Sequence, residues 1–247
     1  MCEMRWIVGL VLAFAAAPVI GAETTIAVAA NFTKPAEEIA AAFNARTGDT
    51  VLLSFGATGA LYAQITQAAP FTVFLSADDK RPATAVKEGF GVAGTVFTYA
   101  IGKSVLYSPT LDVTDGETVL KAGAFQHVSI ADPKTAPYGA AAMEVIDRLG
   151  LADAMAPKIV TGENITQALQ FVDSANAEVG FVALSQVIDR PSTQVWRVPA
   201  EYYSPILQDA VLLKTGENDG VAKAFVEFLQ GDEARAIIEK YGYDVAG

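Results

Sequence analysis

The sequence predicts an α/β fold made of two similar units, and three observations carry that expectation. The first third of the chain alternates short apolar strands with amphipathic helices. The same alternation returns between residues 127 and 183. Two longer β-rich segments, Phe97 to Tyr107 and Ile206 to Lys214, flank the second unit. Buried apolar strands that alternate with helices indicate a mostly parallel sheet covered by helices on both faces.

In chain order, Thr24 to Ala30 reads as the first strand. Pro35 to Arg46 follows with helical spacing: Ile39 and Phe43 lie four apart, as do Ala36 and Ala40, while Glu37 and Glu38 face outward. Gly48 is the stop. Val51 to Phe55 is a second strand, about Ala60 to Ala68 a helix, Thr72 to Ser76 a third strand and Pro82 to Glu88 a short helix. The second unit reads as strand His127 to Ala131, helix Gly139 to Leu149, short strand Lys158 to Val160, helix Thr166 to Ser174 and strand Val179 to Ala183. The long segments 97–107 and 206–214 are expected to be paired crossover strands. The chain then enters lobe two near Ser108 and returns near Pro205, so that 23–107 with 205–247 form lobe one and 108–204 form lobe two. The tail from Val221 to Tyr241 is helical, with Ala224, Phe225, Phe228 and Leu229 on one apolar face and a break at Gly231. There is no repeat of fixed period and no low-complexity stretch.

The N-terminus reads as a leader and not as fold. Arg5 supplies a basic start, Trp6 to Ala17 is almost unbroken apolar sequence, and small residues lead to Ala22. That layout is a secretory signal peptide, residues 1–22, cleaved near Ala22 and exporting the chain. A membrane anchor is the alternative, but the apolar run is shorter than the ~20 residues a spanning helix needs. Cys2 is the sole cysteine and precedes the apolar run, so the mature chain holds neither a disulfide nor a thiol ligand. The composition, 52% hydrophobic and 18% charged, describes a globule with a real core. A net charge of −11 makes nucleic acid and anionic membrane surfaces poor partners.

In open α/β sheets ligands bind beyond the carboxyl ends of strands, where helix N-termini present unpaired N–H groups and a positive partial charge. Four strand-to-helix junctions qualify. The first, Ala29 to Pro35, offers Asn31 or Thr33 as a side-chain donor, with Pro35 at the start of the helix. The second, Ser54 to Ala60, sets Thr58 between Gly56 and Gly59; it lacks the Gly-Lys-Ser/Thr of a nucleotide loop and the pattern of a nucleophile elbow. The third, Asp132 to Gly139, brings Tyr138 to a helix start. The fourth, Gly162 to Ile165, does the same for Ile165, with Glu163 expected to turn away. None of them decides anything alone: the first reads more readily as a plain helix cap, the second is a weak signal, and the Tyr138 ring serves core packing as well as it serves a ligand. Together they form two small-residue, neutral-donor junctions per unit with no obviously committed cation, although Lys34 and Lys134 lie nearby. Neutral, preorganised dipoles hold a dianion when water is excluded.

With these junctions in order, the chain resembles the periplasmic molybdate-binding proteins of bacterial ABC uptake transporters, in the type II periplasmic solute-binding family. The likeness runs from about Thr25 to Tyr243. It rests on Ala29-Ala30-Asn31-Phe32, Leu53-Ser54-Phe55-Gly56-Ala57-Thr58-Gly59, Phe74-Leu75-Ser76-Ala77-Asp78, Asp132-Pro133-Lys134-Thr135-Ala136-Pro137-Tyr138-Gly139, Gly162-Glu163-Asn164-Ile165 and Gly180-Phe181-Val182-Ala183. The resemblance implies a two-lobed fold with the ligand in the cleft, and an oxyanion (molybdate or tungstate) held by hydroxyl and backbone N–H donors. Asn31 stands where many members have a serine hydroxyl, Thr58 at a second Ser/Thr position, and Tyr138 and Ile165 where the main-chain N–H serves. Some members use a tyrosine hydroxyl where this chain has Ala183, and the Tyr138 hydroxyl is a candidate replacement. The resemblance further implies a monomeric periplasmic protein, without cofactor or catalytic residues, which closes on its ligand and docks on a membrane permease with a cytoplasmic ATPase.

Three other readings stand beside it. Sulfate or phosphate are alternative oxyanions, although hydrogen phosphate favours a carboxylate acceptor that these junctions do not obviously supply. An exported hydrolase would need a nucleophile and base, and His127 is the sole histidine. An adhesion or structural domain would bind no small anion.

Overall fold

The computed structural model describes residues 21–245, so the expected leader lies, but for Gly21 and Ala22, outside the described residues. The first unit begins with strand β1 (Glu23–Ala29), whose last four side chains are buried. Helix α1 (Thr33–Thr47) buries Ile39 and Phe43 as its spacing requires and ends at Gly48, in the left-handed conformation at φ +79°, where its N–H closes on the Asn44 carbonyl. Then follow β2 (Thr50–Gly56), α2 (Thr58–Thr66), β3 (Val73–Leu75) and α3 (Lys80–Lys87). The helix after β1 starts at Thr33 and not at Pro35, because a 3-10 turn over Ala30–Phe32 leads straight into it.

The long β-rich segment divides at Lys103 into β4 (Phe97–Gly102) and β5 (Ser104–Tyr107). The second unit continues with α4 (Gly116–Ala122), β6 (Val128–Ala131), α5 (Pro137–Arg148), α6 (Ala152–Met155), β7 (Ile159–Gly162), α7 (Ile165–Asp173), β8 (Val179–Ala183), α8 (Leu184–Val187) and β9 (Val195–Arg197). The chain returns through β10 (Ile206–Leu212) and ends in α9 (Gly220–Leu229) and α10 (Asp232–Lys240).

Each unit holds one five-stranded sheet, ordered β2-β1-β3-β10-β4 in the first and β7-β6-β8-β5-β9 in the second. In both, three strands run parallel and the remaining two continue the sheet through antiparallel pairs. The first crossing between sheets therefore falls at Lys103, not near Ser108: β5 pairs with β8 and β9 and belongs to the second lobe. The Gly102-Lys103-Ser104 step marks the break between the two strands, but both halves are rich in apolar and aromatic residues, so composition does not tell which sheet each joins. The helices α4, α6 and α8 and the strand β9 are additional to the elements the sequence predicts; none exceeds seven residues, too short for a repeating hydrophobic pattern to show.

Each sheet has apolar side chains packed on both faces. In lobe one, Ile39, Phe43 and Phe225 fill one side and Leu61, Ile65 and Phe74 the other. In lobe two, Leu106, Ile146 and Phe181 lie opposite Tyr107, Val172 and Val182. Between the lobes the packing changes character, to a seam of alanines with Tyr138, Ile165 and Ile206. Small side chains there allow helix starts from the two lobes to approach one another closely. The tail ties down the crossover, for Asp244 and Ile101 exchange main-chain hydrogen bonds.

Candidate functional site

Register brings the four junctions together. Strands β1 and β2 pair in parallel so that Ala29 lies beside Gly56, which places Asn31 and Thr58, each two residues further on, side by side. In lobe two β6 and β7 end level, Ala131 beside Gly162, and the turns beyond them deliver Tyr138 and Ile165. All four residues line one cavity at the seam, with about 10 Å³ of room for the centre of a water-sized sphere. On that measure one water-sized sphere takes up ~10–15 Å³, so the cavity in this conformation is a tight niche for a group of a few atoms and not for a drug-sized ligand.

The donors follow from helix geometry. Thr58 opens α2, Ile165 opens α7, and Tyr138 is the second residue of α5, after Pro137, which has no N–H. N–H groups at these positions have no intrahelical acceptor, and among the described residues none of the three donates to another protein group. At α7 the cap sharpens this: Asn164 Oδ1 takes the N–H of Thr166 at 2.9 Å and of Gln167 at 3.1 Å, which leaves the Ile165 N–H unused. Thr58 Oγ1 accepts from the Ala77 N–H at 3.1 Å. Its own proton is donated to no protein group among the described residues, so the hydroxyl is held in place with a donor to spare. Three helix N-termini point their positive ends at one spot.

No residue lining the cavity is charged. Lys34 and Lys134 are exposed and lie outside it, as does Glu163, which is exposed and turned away. Thr33 Oγ1 donates to the Ala30 carbonyl and does not reach the cavity. His127 is exposed at the start of β6, remote from the cavity, and its main-chain N–H donates to Glu178.

Behind the cavity lies a buried polar network that the sequence did not reveal. Asn31 Nδ2 donates both protons inward, to Gln208 Oε1 at 2.8 Å and Tyr243 Oη at 2.9 Å. The Asn31 carbonyl accepts from Tyr243 Oη and from Ser185 Oγ of lobe two. The expected side-chain donor of Asn31 is therefore engaged with the protein in this conformation. Gln208 Nε2 donates to the Tyr138 hydroxyl at 3.3 Å, and that hydroxyl lies against Gly102 on β4. The idea that it substitutes for a tyrosine missing at Ala183 fails on this geometry: the ring turns toward the crossover strands, and Tyr138 offers the cavity its N–H. Burial pushes the Tyr138 and Tyr99 hydroxyls well above the usual tyrosine range and Tyr243 up to about 12, so all three stay protonated and neutral. One signal for this network was present in the sequence. Gln208 and Asp209 are polar residues inside an otherwise apolar strand, and a buried polar side chain demands partners.

Comparison with known proteins agrees with this architecture. Residues 24–244 match the family described as bacterial extracellular solute-binding protein. The chain is 55% identical to the molybdate-binding protein ModA of Rhodobacter capsulatus, covering 92% of this chain and 90% of that one. It is 50% identical to the molybdate-binding protein ModA of Azotobacter vinelandii, covering 97% and 96%. Among solved structures, an Azotobacter vinelandii periplasmic molybdate-binding protein superposes with a TM-score of 0.86 at 38% identity, over 91% of this chain and all of that one.

Proposed function

The chain belongs to the bacterial extracellular solute-binding proteins, and from that premise we propose that it captures molybdate, or the nearly equal-sized tungstate, in the periplasm and delivers it to the permease of an ABC transporter. One observation carries the reading: two junctions from each lobe converge on a single small, uncharged cavity. Relatives named for molybdate at 55% and 50% identity support the choice of ion.

The ligand in this reading is a fully deprotonated dianion. It takes the Thr58 hydroxyl and N–H from lobe one and the N–H groups of Tyr138 and Ile165 from lobe two. Asn31 contributes by turning its amide half a revolution. That exchanges Oδ1 for Nδ2, and the same exchange at Gln208 keeps the pair bonded while Tyr138 Oη becomes the donor to Gln208 Oε1. A dianion brings no proton, so a cavity without a carboxylate accepts it, whereas hydrogen phosphate would leave its proton unpaired. Each lobe supplies part of the donor set, so bound ligand favours the closed form over the open one. Closure is the signal that the permease and its cytoplasmic ATPase read, and the binding protein itself performs no chemical step.

The test is the thermal midpoint of ligand-stripped protein with sodium molybdate, tungstate, sulfate, phosphate or chloride at matched ionic strength. A ligand at 100 times its dissociation constant adds about 2.7 kcal/mol, a rise of roughly 5–10 °C for a chain of this size. Rises with molybdate and tungstate alone are expected. A rise with sulfate or phosphate instead moves the ligand, and no rise with any of them refutes the site.

A further inference from the structure

Two hydrogen bonds cross between the lobes on one rim of the cavity, and neither involves a residue of the donor set. Gly59 N–H, in the first turn of α2, donates to the Thr135 carbonyl at 2.8 Å. Arg81 Nη2, from the first turn of α3, donates to the adjacent Lys134 carbonyl at 3.2 Å. Both acceptors belong to one tight turn, closed by the N–H groups of Thr135 and Ala136 on the Asp132 carbonyl and by Lys134 N–H on Asp132 Oδ1. That turn leads directly into α5 and so sets where the Tyr138 N–H lies.

Lobe one prepares its side of this contact by itself. Asp78 holds Arg81 through an ion pair with Nη1 and a hydrogen bond from the Arg81 N–H, and Asp78 is bonded in turn to Ser76 Oγ. The guanidinium is thus fixed with one edge on Asp78 and the other directed at lobe two. Its charge is compensated locally, so its contribution at the cavity is positional. A side chain at Gly59 would crowd this contact. A Cβ there would stand 2.9 Å from Arg81 Nη2 and 3.0 Å from Thr135 Cα, so the guanidinium must swing aside and the 134–135 turn must give.

We propose that Arg81 and Gly59 form a closure latch: they grip the 134–135 turn when the lobes shut, hold the Tyr138 N–H on the anion, and thereby set its rate of release. Arg81 and Gly59 are positioning residues that never touch the ligand. The proposal rests on the anion-capture reading and adds to it the groups that control dwell time.

The test compares wild type, R81A, R81K and G59A, each ligand-stripped, by calorimetric titration with molybdate and by stopped-flow association and displacement kinetics. R81K keeps the charge and loses the planar reach that serves Asp78 and Lys134 together. The latch predicts release about tenfold faster in both R81A and R81K, the scale of one hydrogen bond from a charged donor. It predicts association within about twofold of wild type, since interface changes act mostly on dissociation. G59A is expected to release at least about tenfold faster, to keep its ligand-free thermal midpoint, and to show a larger radius of gyration than wild type at saturating molybdate. Wild-type release rates in R81A and G59A would overturn the latch. So would an R81A defect that R81K restores, since charge and not reach would then be the cause. A wild-type protein that binds no molybdate would instead refute the capture reading, a distinct failure visible before any variant is made.

Discussion

The two halves of the cavity are built on different principles. Lobe one presents buried polar side chains: Thr58 with its hydroxyl anchored on the Ala77 N–H, and Asn31 tied to Gln208 and Tyr243. Lobe two presents main chain, because Ile165 and Tyr138 send their side chains into the seam and toward the crossover while their N–H groups stand at helix starts. A side-chain donor is chosen residue by residue and lost with one substitution. A main-chain donor is set by the helix start and survives most substitutions that preserve it. Lobe one should therefore be sensitive to side-chain chemistry and lobe two tolerant of it.

The largest effect expected of that contrast is at Thr58. T58V keeps the shape, removes the hydroxyl donor and strips the Ala77 N–H of its acceptor. Molybdate affinity by calorimetric titration should fall about 10- to 100-fold, the worth of a hydrogen bond to a charged group, while T58S stays within about twofold. Unchanged affinity in T58V would place the ligand elsewhere, and equal losses in both would show that the hydroxyl is not the donor.

A smaller effect is expected behind the cavity. Y243F removes the hydroxyl that joins Asn31 of lobe one to Ser185 of lobe two. Leaving those partners short costs about 1–3 kcal/mol, seen as a thermal midpoint lower by about 3–10 °C. The pH dependence has a definite sign. Burial raises Tyr243 from an ordinary value of 10 to about 12, so the folded state keeps a proton that the unfolded chain releases. The stability linked to that proton is complete below pH 10 and is lost as pH rises toward about 12. Midpoints measured from pH 9 to 11 should fall less steeply in Y243F than in wild type. Parallel slopes would show that the Tyr243 hydroxyl does not titrate as its burial requires.

The smallest effect is expected in lobe two. I165V deletes one methylene from the seam and leaves the N–H at the start of α7 untouched. Affinity should stay within about twofold while stability drops by about 0.5–1.5 kcal/mol in denaturant titration. A tenfold loss of affinity would mean that the Ile165 side chain, and not its main chain, governs the site.

The same contrast explains what the sequence disclosed. Helix starts are local events: Asn164 before Ile165, Pro137 before Tyr138 and the glycines around Thr58 mark them within a few residues, and the strand-helix rhythm locates the sheets. The network behind Asn31 is not local. Asn31 meets Gln208 across 177 residues of chain and Tyr243 across 212, contacts that no periodicity encodes. The inward partners of Asn31 were not legible for that reason, nor was the direction of the Tyr138 hydroxyl, whose partner Gln208 sits on a strand 70 residues further along the chain. The division at Lys103 was hidden because β4 and β5 are alike in composition and differ only in which sheet they join.

Both halves share one property on which the proposed capture depends: neither lines the cavity with a charged side chain. The measurement that tests this most directly is molybdate affinity by calorimetric titration from about 0.01 M to 1 M sodium chloride, over which the Debye length shrinks from ~30 Å to ~3 Å. Neutral donors inside a protein of net charge −11 predict an affinity that is flat or rises with salt, as self-repulsion toward the incoming anion is screened. An affinity that falls steeply as salt is raised would reveal a cation in contact with the ligand and contradict the account.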